Sequence, residues 1–344
     1  MPDLRERKGE HLDLAKMPSA MAQVENSLDR VRLTHQALPE IDADDVDTST
    51  KFLNYRLAMP LMISGMTGGM PRGDAINLAL AEIASQHGIA ICIGSQRASL
   101  MAKQSQSELR ARAKGVPLIG NLGGVQLAGE GGLALAQRAI DDIGADAIAI
   151  HLNPLQELAQ PEGDRDWRGV LATLGELVKK SEVPIMVKEV GAGISAKTAR
   201  QLMDQGVRII DVAGLGGTNW TRIEQSRSDP LRQDVMAPFL DWGISTVDAL
   251  ISARAEHKDA TIIASGGIRH GLDVARCVWL GSDLVSAAGV FIKVLEDENQ
   301  TLRPNRLDAL LSVWKDQLKI AMFLTASKTL KALKTAEGEV LMQK

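Results

Sequence analysis

Eight short apolar runs recur between residues 59 and 290, and polar or helix-compatible segments separate them. Unbroken apolar runs of this length are typical of strands buried on both faces. The intervals hold helix-compatible stretches such as Asp74–Gln86, Leu133–Ile143, Arg168–Lys180 and Ala196–Gln205, while Arg97–Gly115 is more polar. The predicted strands are Pro60–Ser64, Ile89–Gly94, Pro117–Asn121, Ala147–His151, Pro184–Val187, Val207–Val212, Thr261–Ala264 and Leu284–Ala287.

This alternation predicts an α/β fold with a parallel sheet, because parallel strands need long crossover connections. Eight units over about 230 residues match the size of a (β/α)₈ TIM barrel, whereas a doubly wound sheet is the competing architecture. The count of eight favours the barrel. We therefore expect one domain, with an irregular N-terminal arm (residues 1–58), a barrel (59–290) and C-terminal helices (291–344). The C-terminal helices are predicted at Phe291–Leu295 and around Leu307–Leu333.

The composition is ordinary for a globular protein, with 45% apolar and 24% charged residues among 344. The net charge of −4 offers no general attraction to nucleic acid or to an anionic membrane. An anionic ligand therefore needs a local basic cluster. Cys92 and Cys277 fall in a predicted strand and a predicted helix, which suits a reducing compartment. The charged N-terminus and the lack of an apolar run of ~18 residues predict a cytoplasmic protein.

Glycines follow the last two predicted strands, at the points where helices begin. Ser265-Gly266-Gly267 ends the seventh strand, and Ala288-Gly289 ends the eighth. In TIM barrels these two loops commonly bind phosphate, because glycine lets backbone N–H groups approach it closely. The alternative is that the glycines only permit tight turns, but two such joints in tandem favour a phosphate site.

Hydrogen-bonding residues stand at the carboxyl ends of all eight predicted strands, where barrel active sites are built. This footprint suits flavin mononucleotide (FMN), with ring contacts from Thr67, Ser95 and Asn121 and a lysine, Lys188, beside the ring. Each residue also has a structural alternative. Lys188 could pair with Glu189, His151 could be a core histidine, and Asn121 and Thr218 could be capping residues.

The segment His151–Glu157, HLNPLQE, is the sharpest local signal. Pro154 fixes a turn after the fourth strand and directs Gln156 and Glu157 over the barrel mouth. A carboxylate there suits Mg²⁺ that bridges to a diphosphate. Arg7, Lys8 and Arg97 are expected to supply further positive charge, the first two from a flap, although a solvated arm is the alternative.

A glycine pattern at Gly191–Ala196 also follows a strand and opens a helix, with Asp211 twenty residues beyond its start. A dinucleotide-binding fold has the same spacing. Because this is the fifth unit of eight, we interpret these glycines as parts of a barrel loop.

Taken together, these motifs resemble the type 2, FMN-dependent isopentenyl-diphosphate delta-isomerases over nearly the whole chain. RKGEH with HLNPLQE is the most specific combination. One departure is Ala213, where some relatives have serine near the flavin. The matching segments are RKGEH (7–11), MTGG (66–69), GSQR (94–97), HLNPLQE (151–157), GDRDW (163–167), VKEVGAGIS (187–195), GGTNW (216–220), DWGIST (241–246) and SGGIRHG (265–271).

The resemblance implies a (β/α)₈ fold, FMN and Mg²⁺ cofactors, and interconversion of isopentenyl and dimethylallyl diphosphate. Mg²⁺ would bind Glu157, and Gln156 would act with the flavin in positioning or proton relay. Substrate contacts are expected at Arg7, Lys8, Ser95, Gln96, Arg97, His151, Asn153 and Gln156. FMN contacts are expected at Thr67, Gly68, Gly69, Ser95, Asn121, Lys188, Thr218, Gly266, Gly267, Ala288 and Gly289.

The same resemblance implies that the flavin works only when reduced and that NAD(P)H serves only to reduce it. We also expect a homo-oligomer, a tetramer or an octamer, with no nucleic-acid or membrane partner.

Two other enzyme classes share the fold. A 2-hydroxy-acid oxidase would need histidine followed by arginine after a late strand, and a nucleotide dehydrogenase would need a cysteine in the strand-six loop. Residues 214–220, GLGGTNW, contain none of these. A non-catalytic flavin-storage protein is the third alternative, which Gln156 and Glu157 disfavour.

Overall fold

Eight parallel strands close into a barrel in the computed structural model, which describes residues 4–342. Every strand overlaps one of the eight predicted runs, and closure occurs where Val285 pairs with Leu61. The (β/α)₈ prediction is therefore confirmed. The strands are β1 (Leu61–Ile63), β2 (Ala90–Cys92), β3 (Leu118–Gly123), β4 (Ala147–Leu152), β5 (Ile185–Glu189), β6 (Ile209–Asp211), β7 (Thr261–Ser265) and β8 (Leu284–Ala287).

Helices surround the barrel and cover its mouth. They are α1 (Leu4–Lys16), α2 (Pro71–His87), α3 (Arg97–Met101), α4 (Glu108–Arg112), α5 (Gly124–Ala128), α6 (Gly132–Ile143), α7 (Pro154–Ala159), α8 (Val170–Lys180), α9 (Ala196–Asp204), α10 (Trp220–Ser226), α11 (Pro230–Met236), α12 (Thr246–Glu256), α13 (Gly271–Trp279), α14 (Gly289–Leu295), α15 (Pro304–Leu324) and α16 (Leu330–Leu333). No helix within residues 4–342 combines the length and apolar character needed to cross a bilayer.

The single long C-terminal helix predicted around Leu307–Leu333 is in fact two helices. The hydroxyl of Thr325 donates to the carbonyls of Ala321 and Met322, which competes with continuation of the helix. Ala326 then adopts a left-handed conformation with φ +54°. These two features end α15 and turn the chain toward α16.

The prediction that residues 1–58 are irregular is wrong. The segment contains the thirteen-residue helix α1 and a hairpin of strands Thr50–Phe52 and Tyr55–Leu57. A third strand, Val31–Leu33, pairs antiparallel with Gly338–Val340 near the other end of the chain. Helix α1 is mostly polar, and its packing rests on a few buried side chains such as Leu12 and Ala15. Tertiary contacts, rather than a strong apolar periodicity, therefore specify it.

The hairpin closes one end of the barrel. Phe52 and Leu57 pack into the same apolar cluster as the inward side chains of the strands. These inward side chains are Met62, Ala90, Cys92, Ile119, Ala147, Ala149, Met186, Ile209, Ile263 and Leu284. Burial raises the pKa of the Cys92 thiol to about 12, so it is a protonated packing group. Apolar side chains thus fill this end of the barrel and form its floor. Within the barrel, a ligand site can lie only toward the opposite end.

Candidate active site

A polar layer lies directly above this apolar floor. Because side chains alternate along a strand, the residue two places beyond each inward apolar one also points inward. At these places the sequence changes from apolar to small or polar: Ser64, Gly94, Asn121, His151, Lys188, Asp211, Ser265 and Ser286. All except Asp211 line a cavity of about 760 Å³ at the barrel mouth. That volume suits a small-molecule site with a cofactor.

Asn121 and His151 form a fixed hydrogen-bonded pair in this layer. The Asn121 amide nitrogen donates to the Ile93 carbonyl at 2.9 Å, so its oxygen faces Nδ1 of His151 at 2.8 Å. Nδ1 must therefore carry the proton, and Nε2 is left as an acceptor. Burial, reinforced by Lys188 and Lys8, lowers the pKa of His151 to about 3. A neutral His151 in the cavity wall can orient a donor, but it is a poor acid or base near neutral pH.

Lys188 does not pair with the side chain of Glu189. Its ammonium donates to the Glu189 backbone carbonyl at 2.6 Å, and it lines the cavity. The Glu189 carboxylate instead accepts the backbone N–H groups of residues 190–192. The glycine pattern after β5 therefore binds a carboxylate of its own loop, which agrees with the barrel-loop interpretation. Asp211 lies within the barrel, where burial raises its carboxyl pKa and Lys188 opposes that rise.

The loops after β7 and β8 form a cradle of bare backbone. Gly266 and Gly267 have φ of +101° and +75°, which favour glycine. A Cβ added at Gly267 would lie 2.7 Å from the Gly216 carbonyl oxygen, and one at Gly289 would lie 2.6 Å from Thr218 Oγ1. A side chain at either position would therefore clash with neighbouring atoms, so the loop backbone itself borders the cavity. This geometry suits a phosphate group.

Two hydroxyl groups in the cavity wall lack partners among the described residues. Thr67 Oγ1 and Ser286 Oγ are both buried and make no hydrogen bond there. An unsatisfied buried polar group costs about 1–3 kcal/mol, so a bound polar ligand would relieve both. Together with the glycine cradle, these hydroxyls fit FMN in the position expected from the sequence.

The loop after β4 presents Gln156 and Glu157 as predicted, with Pro154 as the first residue of α7. The Asn153 amide nitrogen donates to Gln156 Oε1 at 3.1 Å and to Glu157 Oε1 at 2.9 Å. The other Glu157 oxygen accepts from the Asp164 backbone at 2.9 Å. Within residues 4–342, no three His, Cys, Asp or Glu side chains converge as a metal site. A cation at Glu157 would therefore need phosphate and water oxygens as well, which suits Mg²⁺.

Helix α1 brings two cations to the cavity. The Lys8 ammonium donates to the carbonyls of Gly68 and Ser95, the latter at 3.0 Å, which leaves one of its three N–H donors. Burial, together with the charges of Arg7 and Arg97 and against that of Asp74, lowers the pKa of Lys8 to about 8. Arg7 pairs with Glu162 at 3.1 Å and Arg97 with Asp164 at 3.5 Å. All three cations line the cavity, so the arm is docked rather than loose.

Three residues expected at the site lie behind it. Gln96 is fully buried, and its amide donates to the Ala139 carbonyl and accepts from the Asn121 backbone, each at 3.0 Å. A direct substrate contact by the Gln96 side chain is therefore wrong in this geometry, and Gln96 instead supports Asn121. Gly68 and Gly69 also lie outside the cavity lining. Gly68 accepts from Lys8, and the Gly69 N–H donates to Asp74 at 3.0 Å.

A buried carboxylate that the sequence interpretation missed lies beneath Gln156. Glu224 of α10 is 0% exposed, accepts hydrogen bonds from Gln156 and Arg227, each at 2.9 Å, and lies 3.1 Å from Nε2 of His11. Burial alone would raise the Glu224 pKa, but these hydrogen bonds and charges outweigh burial and lower it. No local motif marks Glu224, because its partners come from α1, α7 and the residue that follows α10. Only the fold brings them together.

Comparisons with known proteins show the family of the chain. A family model described as FMN-dependent dehydrogenase matches residues 153–338. The isopentenyl-diphosphate delta-isomerase of Xanthobacter autotrophicus is 44% identical over 95% of each chain. The enzyme of that name from Pseudescherichia vulneris is 43% identical over 97% of this chain and 96% of its own. The one from Stutzerimonas stutzeri is 44% identical over 96% and 95%, respectively.

Solved structures support the fold alone. A mandelate oxidase with bound (S)-2-phenylpropionate superposes with a TM-score of 0.68 at 17% identity, covering 98% of both chains. A Pediococcus acidilactici protein described as a lactate oxidase gives a TM-score of 0.70 at 17% identity, covering 99% of this chain and 94% of its own. At this low identity the similarity shows a shared barrel fold. The reaction must be inferred from the residues of the site.

Proposed function

The chain belongs to the isopentenyl-diphosphate delta-isomerase family, and we propose that it interconverts isopentenyl and dimethylallyl diphosphate with reduced FMN and Mg²⁺. The observation that carries this proposal is the presence of three features in one cavity. A glycine cradle and unpaired hydroxyls suit the flavin, three cations suit a diphosphate, and Gln156 and Glu157 line the same cavity. Full-length similarity to the named isomerases supports the same assignment.

The flavin is proposed to bind across the polar layer. Its phosphate would lie at Gly266, Gly267, Ala288 and Gly289, and its ring near Thr67, Ser95, Asn121, Lys188 and Thr218, all of which line the cavity. Reduced FMN would supply an acid–base group beside the substrate double bond. NAD(P)H is proposed only as the reductant that prepares this form, since the isomerisation has no net redox change.

The protein residues are proposed to hold the diphosphate and orient the alkene. Arg7, Lys8 and Arg97 would offset its negative charges, and Glu157 would hold a Mg²⁺ ion that supplies further positive charge to the diphosphate. Ser95, His151 and Asn153 contribute neutral hydrogen-bonding groups. Gln156 has an amide that is neither a strong acid nor a strong base, so its proposed role is to position the reacting carbons or relay a proton. A water-poor site protects a cationic transition state from capture by water.

A flavin oxidoreductase of the 2-hydroxy-acid oxidase type fits less well. Its chemistry needs a basic histidine followed by arginine, and the strand-six loop ends in Thr218, Asn219 and Trp220 instead. His151, which does line the cavity, has a pKa too low for that role.

The first experiment is an absorbance spectrum of the purified protein, followed by an anaerobic isomerase assay. A flavin spectrum with dimethylallyl diphosphate formation is expected. A flavoprotein that oxidises 2-hydroxy acids instead would overturn the proposal.

The pKa of Lys8 predicts a pH dependence. Above pH 8 the free enzyme loses this cation, so kcat/KM should fall on the basic side with an apparent pKa of about 8. Bound diphosphate stabilises the protonated form, so kcat should change less. Lys8→Arg should keep its charge and abolish this basic limb. The measurement is kcat/KM from pH 6 to 10 for both proteins; an identical basic limb in Lys8→Arg would show that another group titrates.

Glu157→Gln is expected to raise the Mg²⁺ concentration for half-maximal activity by about tenfold or more, because the amide keeps the shape but loses the charge. The substrate KM should rise as well, while flavin binding is retained. Gln156→Ala is the comparison variant, and it should lower kcat with little change in Mg²⁺ dependence. Titrating Mg²⁺ against both variants checks this. A wild-type Mg²⁺ curve for Glu157→Gln would place the metal elsewhere.

A further inference from the structure

A single buried carboxylate, Glu224, joins several residues of the cavity wall without lining the cavity itself. Two of these contact Glu224 directly: Gln156 donates to it, and Nε2 of His11 lies 3.1 Å from its carboxylate. A third, Gln160, satisfies both of its neighbours when its amide nitrogen donates to Glu224 at 3.1 Å and its oxygen accepts from Arg7 at 2.8 Å. Glu224 is thus connected to α7 directly and to α1 at two points.

The orientation of the Gln156 amide follows from these contacts. Its nitrogen donates to Glu224, and its oxygen accepts from Asn153. The first contact requires an acceptor at position 224, and the second requires that the oxygen face Asn153. Exchanging the two ends of the amide would lose both hydrogen bonds. The orientation of the Gln156 amide in the cavity wall is therefore fixed by Glu224 and Asn153.

We propose that Glu224 is a positioning residue for the reaction: it fixes the amide of Gln156 and, through Gln160 and His11, the docked position of the cation-bearing helix α1. This inference rests on the proposed function and names a residue that acts through others. A fully buried carboxylate is costly unless several donors compensate it. Here the donors include residues of the cavity wall, so the same interactions that keep Glu224 charged also order the site.

The test replaces the carboxylate with its isosteric amide. Glu224→Gln keeps one acceptor oxygen, and its NH₂ group must face either Arg227 or the cluster of Gln156, His11 and Gln160. In either orientation one set of donors faces another donor. We expect kcat to fall by about 10²-fold, because misplacement of a positioning group has effects of that size. Flavin content should remain that of the wild type.

A double-mutant cycle separates positioning from general damage. If Glu224 acts through Gln156, the variant Gln156→Ala/Glu224→Gln should have nearly the kcat of Gln156→Ala alone. Multiplied losses would overturn the proposal. If Glu224→Gln does not fold, the cycle is run with Glu224→Asp, which keeps the charge but withdraws the carboxylate by one methylene.

Glu296→Gln is the matched control. Glu296 is also a buried carboxylate that anchors α1, through Lys16 at 2.7 Å and Arg72 at 2.6 Å, but it lies outside the cavity lining. It should lower the Tm while leaving kcat within about twofold, since the carboxylate of Glu296 pairs with side chains of α1 and α2. An equal loss of kcat in both variants would mean that any weakening of α1 suffices, and the inference on Glu224 would fail.

Inorganic diphosphate gives a readout that does not depend on turnover. Its affinity for the FMN-loaded protein, measured by calorimetry, should weaken about tenfold in Glu224→Gln, because Arg7 is oriented through Gln160. It should stay near the wild-type value in Glu296→Gln. Equal affinity in Glu224→Gln and wild type would overturn the proposed link to α1. A wild-type enzyme that fails to isomerise would instead refute the proposed function, so the two failures are distinguishable.

Discussion

Replacing Gly267 with valine should yield a folded barrel that no longer retains flavin. Position 267 has φ +75°, and a new Cβ would lie 2.7 Å from the Gly216 carbonyl oxygen and 2.8 Å from the Asn26 amide nitrogen. Relief of that overlap must move the loop, which destroys the proposed phosphate cradle. The flavin-to-protein ratio after gel filtration, from absorbance, should fall to near zero. Circular dichroism should still show the helical content of the wild type.

Gly131→Val is the matched control for backbone strain. Gly131 has nearly the same φ, +74°, but a Cβ there meets no atom within 4 Å. Both variants therefore share a conformational cost of about 1–2 kcal/mol, and only Gly267→Val disturbs the cradle. Full flavin occupancy in Gly267→Val would show that the phosphate lies elsewhere. Loss of flavin from Gly131→Val as well would trace the effect to stability.

Activity should require reduced flavin and yet consume no reductant. Moving a double bond transfers protons and leaves the substrate's oxidation state unchanged. The cavity offers weak alternatives among the described side chains, because His151 is neutral with a pKa of about 3 and Gln156 is an amide. Neither can protonate an unactivated alkene. Photoreduced enzyme under anaerobic conditions should therefore turn over many substrate molecules without NAD(P)H, while the oxidised enzyme should be essentially inactive.

The same sample provides its own control after air oxidation and a second photoreduction. Activity should disappear and return with the flavin's oxidation state. In deuterium oxide the product should also acquire deuterium, which reports on proton exchange with solvent. One equivalent of reductant consumed per product would contradict the prediction, and it would place the protein among the oxidoreductases that share its fold.

The barrel was predictable because each strand carries its own local signal. Runs such as Pro184–Val187 are apolar at every position, since one set of side chains faces the floor and the other faces the helices. Helix α1 carried no such signal, because only a few of its residues, Leu12 and Ala15 among them, are buried against the barrel. The floor hairpin was missed for a similar reason. Each of its two strands contains a single buried apolar side chain, Phe52 or Leu57, and so forms no apolar run.

Cavity-lining residues were predictable where they lie in the carboxyl-terminal part of a strand. Alternation fixes the direction of Asn121 and Lys188, and it would also have identified Ser286, which was overlooked. Gln96 shows where this logic fails. The backbone at Gln96 is already helical, with φ −79° and ψ −5°, so alternation no longer determines where its side chain points. Glu224 could not be predicted, because its contacts depend on how α10 packs against α1 and α7.

The floor formed by Phe52, Leu57 and the apolar layer closes the barrel on the side opposite the mouth of the cavity. In the proposed binding mode, ligands that share the cavity would enter and leave through this mouth in a fixed order. The flavin on the polar layer would enter first and leave last, and the diphosphate held beneath α1 would block its exit. Substrate saturation would then also keep the enzyme loaded with its cofactor.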